Sequence, residues 1–441
     1  MRDLRGNPVS TVSDGALAAT ERALARMMSF YGAPLDDLDD AMAHDPAWLL
    51  PPLMKAGFLL SLTEAAFVPE AQALIEQAAH AAPHATQRER DHLSALQHLA
   101  AGDWHAACRE WEGILLREPR DALALQWAHL FDFYRGDALN LRQRVARVLP
   151  EWDETDPLWP CVLALYAFGL EENHLYAEAE AAGRRALAAD PRVPWAMHAV
   201  AHVMEMQGRH AEGAAWLTAC GPHWTTGNGF SGHLGWHHGL FALEQLDAAT
   251  ALQRFDAHLA ASPEQITLQR VDAAALLWRM RLLGMDSGGR WQALVDGWDF
   301  TGSAAGHSTF NDVHGLLALI GSGDLHAAQS WATHAVQRGD ASGGTNRAMT
   351  REVGAPLMRG LLALARRRPA DTIDAIYPLR ERLHRIGGSH AQRELIDQTL
   401  LAAAVEARDR AVGRALLNER RVARAATPLT EHWANRLGTL A

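Results

Sequence analysis

The stretch GDWHAACREWEGILLREP, Gly102 to Pro119, decides the fold of this chain. Gly102 ends one helical run, and Trp104 sits at the start of the next. Ala107 is small enough to let two helices approach, and Trp111, one turn on, fills the space beside it. Pro119 stops the helix and opens the following unit. Glycine, aromatic, alanine, aromatic and proline in this order describe how one helix packs against its neighbour.

The pattern returns. HLYAEAEAAGRRALAADP places Tyr176, Ala179, Ala186 and Pro191 at the same offsets, and LDAATALQRFDAHLAASP has Ala251, Phe255 and Pro263. GDLHAAQSWATHAV offers Gly323, Leu325 and Ala328, and GRHAEGAAWL from Gly208 is a weaker copy. Pro119, Pro191 and Pro263 stand 72 residues apart, room for two degenerate helix pairs per interval. This is the second half of a tetratricopeptide repeat, and no run of alternating strands interrupts it. The expected fold is all-α: a right-handed α-solenoid of degenerate tetratricopeptide-like helix pairs, one continuous array over 89–441. Residues 1–88 lack the repeat and are expected to form a helical N-terminal cap, with Ser13 or Asp14 capping its first helix.

Composition agrees. Alanine is abundant and β-branched residues are sparse, as helices prefer. The net charge is -11, and the single lysine is Lys55. Arginine carries the remaining positive charge, which fits the codon bias of a GC-rich bacterial genome. Nothing resembles a basic nucleic-acid footprint. The most apolar stretch, AWLLPPLMKAGFLLSL, is broken by Pro51, Pro52 and Lys55, so no membrane span is expected. Cys108, Cys161 and Cys220 form no C-x-x-C pair and suit a reducing cytoplasm. The Gly-rich TTGNGFSG (225–232) and SGGTN (342–346) follow no strand and match no phosphate loop.

Histidine is the outlying count, at 23. MHAVAHVMEMQGRH, Met197 to His210, aligns His198, His202, Glu205 and Arg209 within about 60° of one another on a helix. Apolar residues flank this polar stripe on both sides, so it must face a buried network or a cavity. SGHLGWHHGLFALEQL repeats the device with His233, His237 and Glu244, beside Trp236. VDAAALLWRMRLLG aligns Asp272 with Arg279 near Trp278; these two fit either a buried ion pair or a functional set. GHSTFNDVHGLLALI carries Asp312 and His314, with Asn311 or Asp312 as helix N-cap. GGSHAQREL carries Ser389, His390 and Arg393, and Ser389 with Gln392 also satisfies a capping box.

These same peptides carry a resemblance. HAVAHVMEMQGRH, DAAALLWRMRLLG, FNDVHGLLAL, GGSHAQRE and the opening DLRGNPVSTVSDGA resemble, in order and over nearly the full length, the tetratricopeptide repeat protein 38 family. SGHLGWHHGLF is similar to that family's His/Trp-rich segment, although Gly232 and Gly235 are expected to weaken the helix here. The resemblance implies an α-solenoid of degenerate repeats and no particular reaction. The family-like peptides coincide with the polar stripes and not with the generic repeat positions.

Two functions follow. In the first, the chain is an enzyme for a small polar or anionic metabolite, working by hydrolysis, elimination or proton transfer. His198, His202, Glu205, His233, His237, Asp272, Asp312, His314 and His390 are its candidate acid–base and orienting groups. Arg279, Arg393 and Ser389 hold the substrate, and Trp195, Trp236 and Trp278 wall it. No cofactor is required; a divalent metal on His198, His202, His233 and His237 is the alternative. In the second, the chain is a non-catalytic scaffold whose concave groove binds a partner peptide or small ligand. A protein partner or a homo-oligomer is compatible with either; nucleic acid and membrane are not.

Overall fold

The computed structural model describes residues 1–262 and 265–438. Pro263, which closes one copy of the repeat, lies outside the described residues. The described chain is all-α; its only β features are two isolated bridges, Arg2 with Pro8 and Tyr31 with Asn228. It divides into two compact units. The first comprises Met1–Val200, His223–Phe230 and Gly343–Thr345; the second comprises Ala201–Pro222, Ser231–Ser342 and Asn346–Ala441. No helix among the described residues is long and apolar enough to cross a membrane.

Each unit is a succession of packed helix pairs of the tetratricopeptide type. In the first, Gln87–Ala100 packs on Trp104–Arg117, Ala122–Tyr134 on Ala138–Val148, and Trp159–Glu171 on Tyr176–Ala189. In the second, Ser231–Glu244 pairs with Ala248–His258, Thr309–Ser322 with Leu325–Ala341, and His390–Ala407 with Arg410–Ala423. Two pairs do separate Pro119 from Pro191. Of the alanines and aromatics of the repeat, Ala107, Trp111, Ala179, Ala186, Ala251, Phe255 and Ala328 are buried, and Tyr176 is half-buried.

One turn recurs between the two helices of a pair. A residue in the left-handed region ends the first helix, and the next residue caps the second. Gly102 (φ 81°), Gly136 (φ 68°) and Gly323 (φ 92°) fill the first position. Asp103, Asp137 and Asp324 follow, each accepting a backbone N–H from the new first turn. Leu246 (φ 61°) with Asp247 and Arg408 (φ 58°) with Asp409 make the same turn without glycine. The left-handed residue reverses the chain in two residues, and the carboxylate satisfies N–H groups that a helix start leaves open.

Four helices precede the repeats in the first unit: Asp14–Ser29, Pro34–His44, Leu50–Ser61 and Val68–Ala79. Ser13 caps the first. The opening segment is held by its own polar groups. Asp3 accepts the backbone N–H groups of Arg5 (2.9 Å) and Asn7 (2.8 Å), and Arg5 grips Glu21 with 2.7 and 2.6 Å bonds. Glu89, buried, accepts from Ser10 N–H and from the Trp48 indole. The family-like N-terminal peptide thus has a structural task.

The recurring turn makes a stability prediction. Gly323→Ala should destabilise by about 1 kcal/mol, because open space surrounds the position and only the left-handed backbone resists a Cβ. Arg408→Gly, at an exposed site of the same geometry, should stabilise by roughly 0.5–1 kcal/mol. Urea denaturation of both variants beside the parent measures the pair; equal effects of one sign would refute the strain argument.

Candidate functional site

The second unit contains a polar centre assembled from helices that are otherwise apolar. Its base is helix Ser231–Glu244, buried over nearly its whole length. Gly235, one of the two glycines expected to weaken it, is a point of close approach, and so is Gly239. A Cβ on Gly235 would lie 2.4 Å from the Cβ of His258, and one on Gly239 would lie 2.9 Å from Leu276. Glycine therefore lets two neighbouring helices close on this one. With those faces filled by backbone contact, His233, Trp236 and His237 are left to meet the polar residues of other helices.

Two carboxylate–imidazole pairs result. Nδ1 of His233 lies 2.7 Å from Asp272 of helix Thr267–Leu282, and Nδ1 of His237 lies 3.0 Å from Glu205. His202 stands against His237, with ring centroids 4.5 Å apart, and His233 stands 4.9 Å from His237 on the other side. His202, His233 and His237 each offer a ring nitrogen within 4.8 Å of the others. The two i, i+4 stripes thus converge for these three residues. Burial pushes the Glu205 carboxyl up to about 7, against the pull of His202, Arg424 and Arg279. Burial, with His202, His233 and Arg279 nearby, holds the His237 imidazole neutral, well below its ordinary range.

Arg279 completes the centre. It is 1% exposed and lies over the Trp236 ring, 5.5 Å from the centroid. Asp272 is not its partner, because Asp272 is taken by His233; the ion pair that the seven-residue spacing suggested does not form. Instead Arg279 donates to the carbonyls of Ala275 (3.1 Å) and Ala391 (2.6 Å), and its Nε meets no acceptor among the described residues. Burial lowers this guanidinium to about 10, opposed by Glu205, Glu244 and Asp272 at longer range.

His314 and Asp312 differ from each other in placement. His314 bonds the Phe310 carbonyl through Nδ1 (2.8 Å), so its buried Nε2 carries the lone pair, and that nitrogen has no hydrogen-bond partner among the described residues. Burial lowers it to about 4, and Asp272 and Arg279 both act on it. Asp312 orients neither a histidine nor an arginine. It accepts the Gly306 N–H at 3.0 and 3.2 Å, and burial raises it to about 7. Nor is Asp312 or Asn311 the helix cap; Ser308 is, through its hydroxyl.

Glu244 has a different task from the histidines it aligns with. It accepts two bonds from Arg420 (2.7 and 2.8 Å) and one from Thr427 (2.6 Å), with Arg424 at 3.7 Å. Arg420 and Arg424 also bind Glu394. Burial would raise Glu244, but the two guanidiniums and Thr427 outweigh it and hold it at about 2. Two acids and two bases cancel inside the unit and tie helix Ser231–Glu244 to the C-terminal helices.

The remaining candidates belong to the first unit or act structurally. His198 and Trp195 belong to the first unit, where Phe168, Phe230 and these two rings form an aromatic nest with centroids 5.0–5.3 Å apart. Arg209 falls beyond the helix end and pairs with Glu212 at 2.6 Å. Trp278 gives its indole N–H to Thr399 (2.9 Å), packing against helix His390–Ala407. Ser389 and Gln392 form the expected capping box. His390 is the first residue of that helix and half-buried, and Arg393 donates to the Gly388 carbonyl. The sequence reading missed Arg420, Arg424 and Glu394. They sit in charge-rich helices whose residues alone resemble a solvated face, and only the in-line Glu244 signalled that a cation was needed.

No family model matches the chain. Among solved structures it is similar to a tetratricopeptide repeat protein from Parabacteroides merdae, at 12% identity and a TM-score of 0.33 over 67% of this chain and 99% of that one. It is similar to a chain of the APC/C hetero-tetramer Cut9–Hcn1, at 11% identity and a TM-score of 0.45 over 97% and 78%. It is also similar to yeast Tom70, at 11% and 0.38 over 97% and 86%.

Two predictions arise here. Glu244→Gln leaves Arg420 and Arg424 with one carboxylate between them and should cost about 3–5 kcal/mol in urea denaturation; a loss under 1 kcal/mol would remove the quartet from the stability of this unit. For Asp312, the folded carboxyl titrates near 7 and an unfolded one near 4. Its neutral form suits the fold, so stability present below about pH 4 is lost as pH rises toward 7. Asp312→Asn keeps an acceptor for Gly306. It should gain on the parent between pH 5 and 8, by roughly 2–4 kcal/mol at the top of that range. A parent–variant difference that does not change with pH would contradict the assignment.

Proposed function

We propose that this chain is a tetratricopeptide-type helical-repeat protein that takes up a small anionic molecule at the polar centre of its second unit. We group it with the tetratricopeptide repeat protein 38 family on the peptides that carry the resemblance. The supporting observation is Arg279: a guanidinium 1% exposed, without an ion pair among the described residues and with one N–H unanswered. Taking such a charge out of water costs several kcal/mol unless an anion offsets it. A planar carboxylate suits the guanidinium fork, and the neighbouring His314 and Trp236 supply a polar and an apolar boundary. The pairs His233–Asp272 and His237–Glu205 favour a second reading, in which the bound molecule also undergoes proton transfer, elimination or hydrolysis there. Cys108, Cys161 and Cys220 form no disulfide among the described residues, which suits work in the cytoplasm.

The test is thermal melting of the parent and Arg279→Met against acetate, succinate, citrate and phosphate. At a hundred times its dissociation constant, a ligand of the folded state adds about 2.7 kcal/mol. At least one carboxylate should raise the parent's melting temperature and leave the variant's unchanged. A parent indifferent to every anion, or a variant that responds equally, would sink the proposal.

A further inference from the structure

The geometry points to a divalent transition-metal site, fitted to Zn²⁺, on His202, His233 and His237 of the second unit. The inference stands apart from the anion reading, since ion uptake and anion uptake are lost through different residues.

Asp272 accepts from Nδ1 of His233 at 2.7 Å, and Glu205 accepts from Nδ1 of His237 at 3.0 Å. A carboxylate on Nδ1 fixes the proton there and makes Nε2 the nitrogen with the lone pair. This is the outer-shell arrangement that orients metal-binding imidazoles and raises their basicity. It occurs twice, on residues one helical turn apart, with both acids buried. Two such pairs side by side are more than a helix tie requires.

Spacing agrees. The three residues offer nitrogens within 4.8 Å of one another. Ligands about 2.0–2.1 Å from a tetrahedral ion stand about 3.3 Å apart, so side-chain rotations on the order of an ångström close the set. His202 and His237 are wholly buried, and the His233 side chain is 16% exposed. An all-imidazole set suits Zn²⁺ over the oxygen-seeking Mg²⁺ and Ca²⁺.

The experiment uses the full chain without a polyhistidine tag, stripped with chelator and titrated with Zn²⁺ by calorimetry and with Co²⁺ by visible absorption. The parent should take up one tightly held ion per chain and show the d–d bands of tetrahedral Co²⁺. His202→Leu and His237→Leu, checked for folding by circular dichroism, should lose that tight uptake. Asp272→Asn touches no ion and acts through His233; it should weaken affinity by roughly 10–100-fold while the bands persist. A folded parent with no tight ion, or uptake that survives both leucine variants, would overturn the site and leave only surface histidines. If the leucine variants fail to fold, Asp272→Asn decides: unchanged affinity rejects the proposal.

Discussion

A charge on a helix covered from two sides must be answered by another helix, because water cannot reach it. The second unit is organised by that constraint. Helix Ser231–Glu244 has no solvated face, yet it carries His233, His237 and Glu244. Each of these selects a neighbour: Asp272, Glu205 and the Arg420–Arg424 pair. Packing brings the helices together, and these contacts choose which turn faces which.

The answers are of two kinds. Glu244 is over-answered, with two guanidiniums and a hydroxyl, and its carboxylate is held fully ionised. Such a group is closed to further chemistry. Arg279 is under-answered, bonded to carbonyls alone and pushed below its ordinary range by burial. Within one unit, then, one charge is met by two guanidiniums, and another rests on carbonyls alone.

The precision of such a centre depends on the turns as much as on the core. A left-handed residue followed by an aspartate cap reverses the chain in two residues and fixes the register of one helix against the next. Glycine does the complementary task inside helix Ser231–Glu244, where His258 and Leu276 occupy the space that side chains would need at Gly235 and Gly239. Helices set this closely leave few rotamers to the polar residues between them.

Much of this was legible in the residues alone. Gly102, Ala107, Trp111 and Pro119 announce a helix pair because small, large and helix-breaking side chains act on their nearest turns. The His202–Glu205 and His233–His237 stripes are legible for the same reason: residues three or four apart share a face in any helix. Partner choice was not. The i, i+7 spacing of Asp272 and Arg279 suggested an ion pair, but His233 claims Asp272 from another helix, and the carbonyl of Ala391, far along the chain, takes Arg279. Arg420 and Arg424 resemble surface charges until Glu244 is brought against them. Periodicity is a property of a few consecutive residues, so sequence determines it; the answer to a buried charge comes from residues distant in the chain, so only the tertiary structure could decide it.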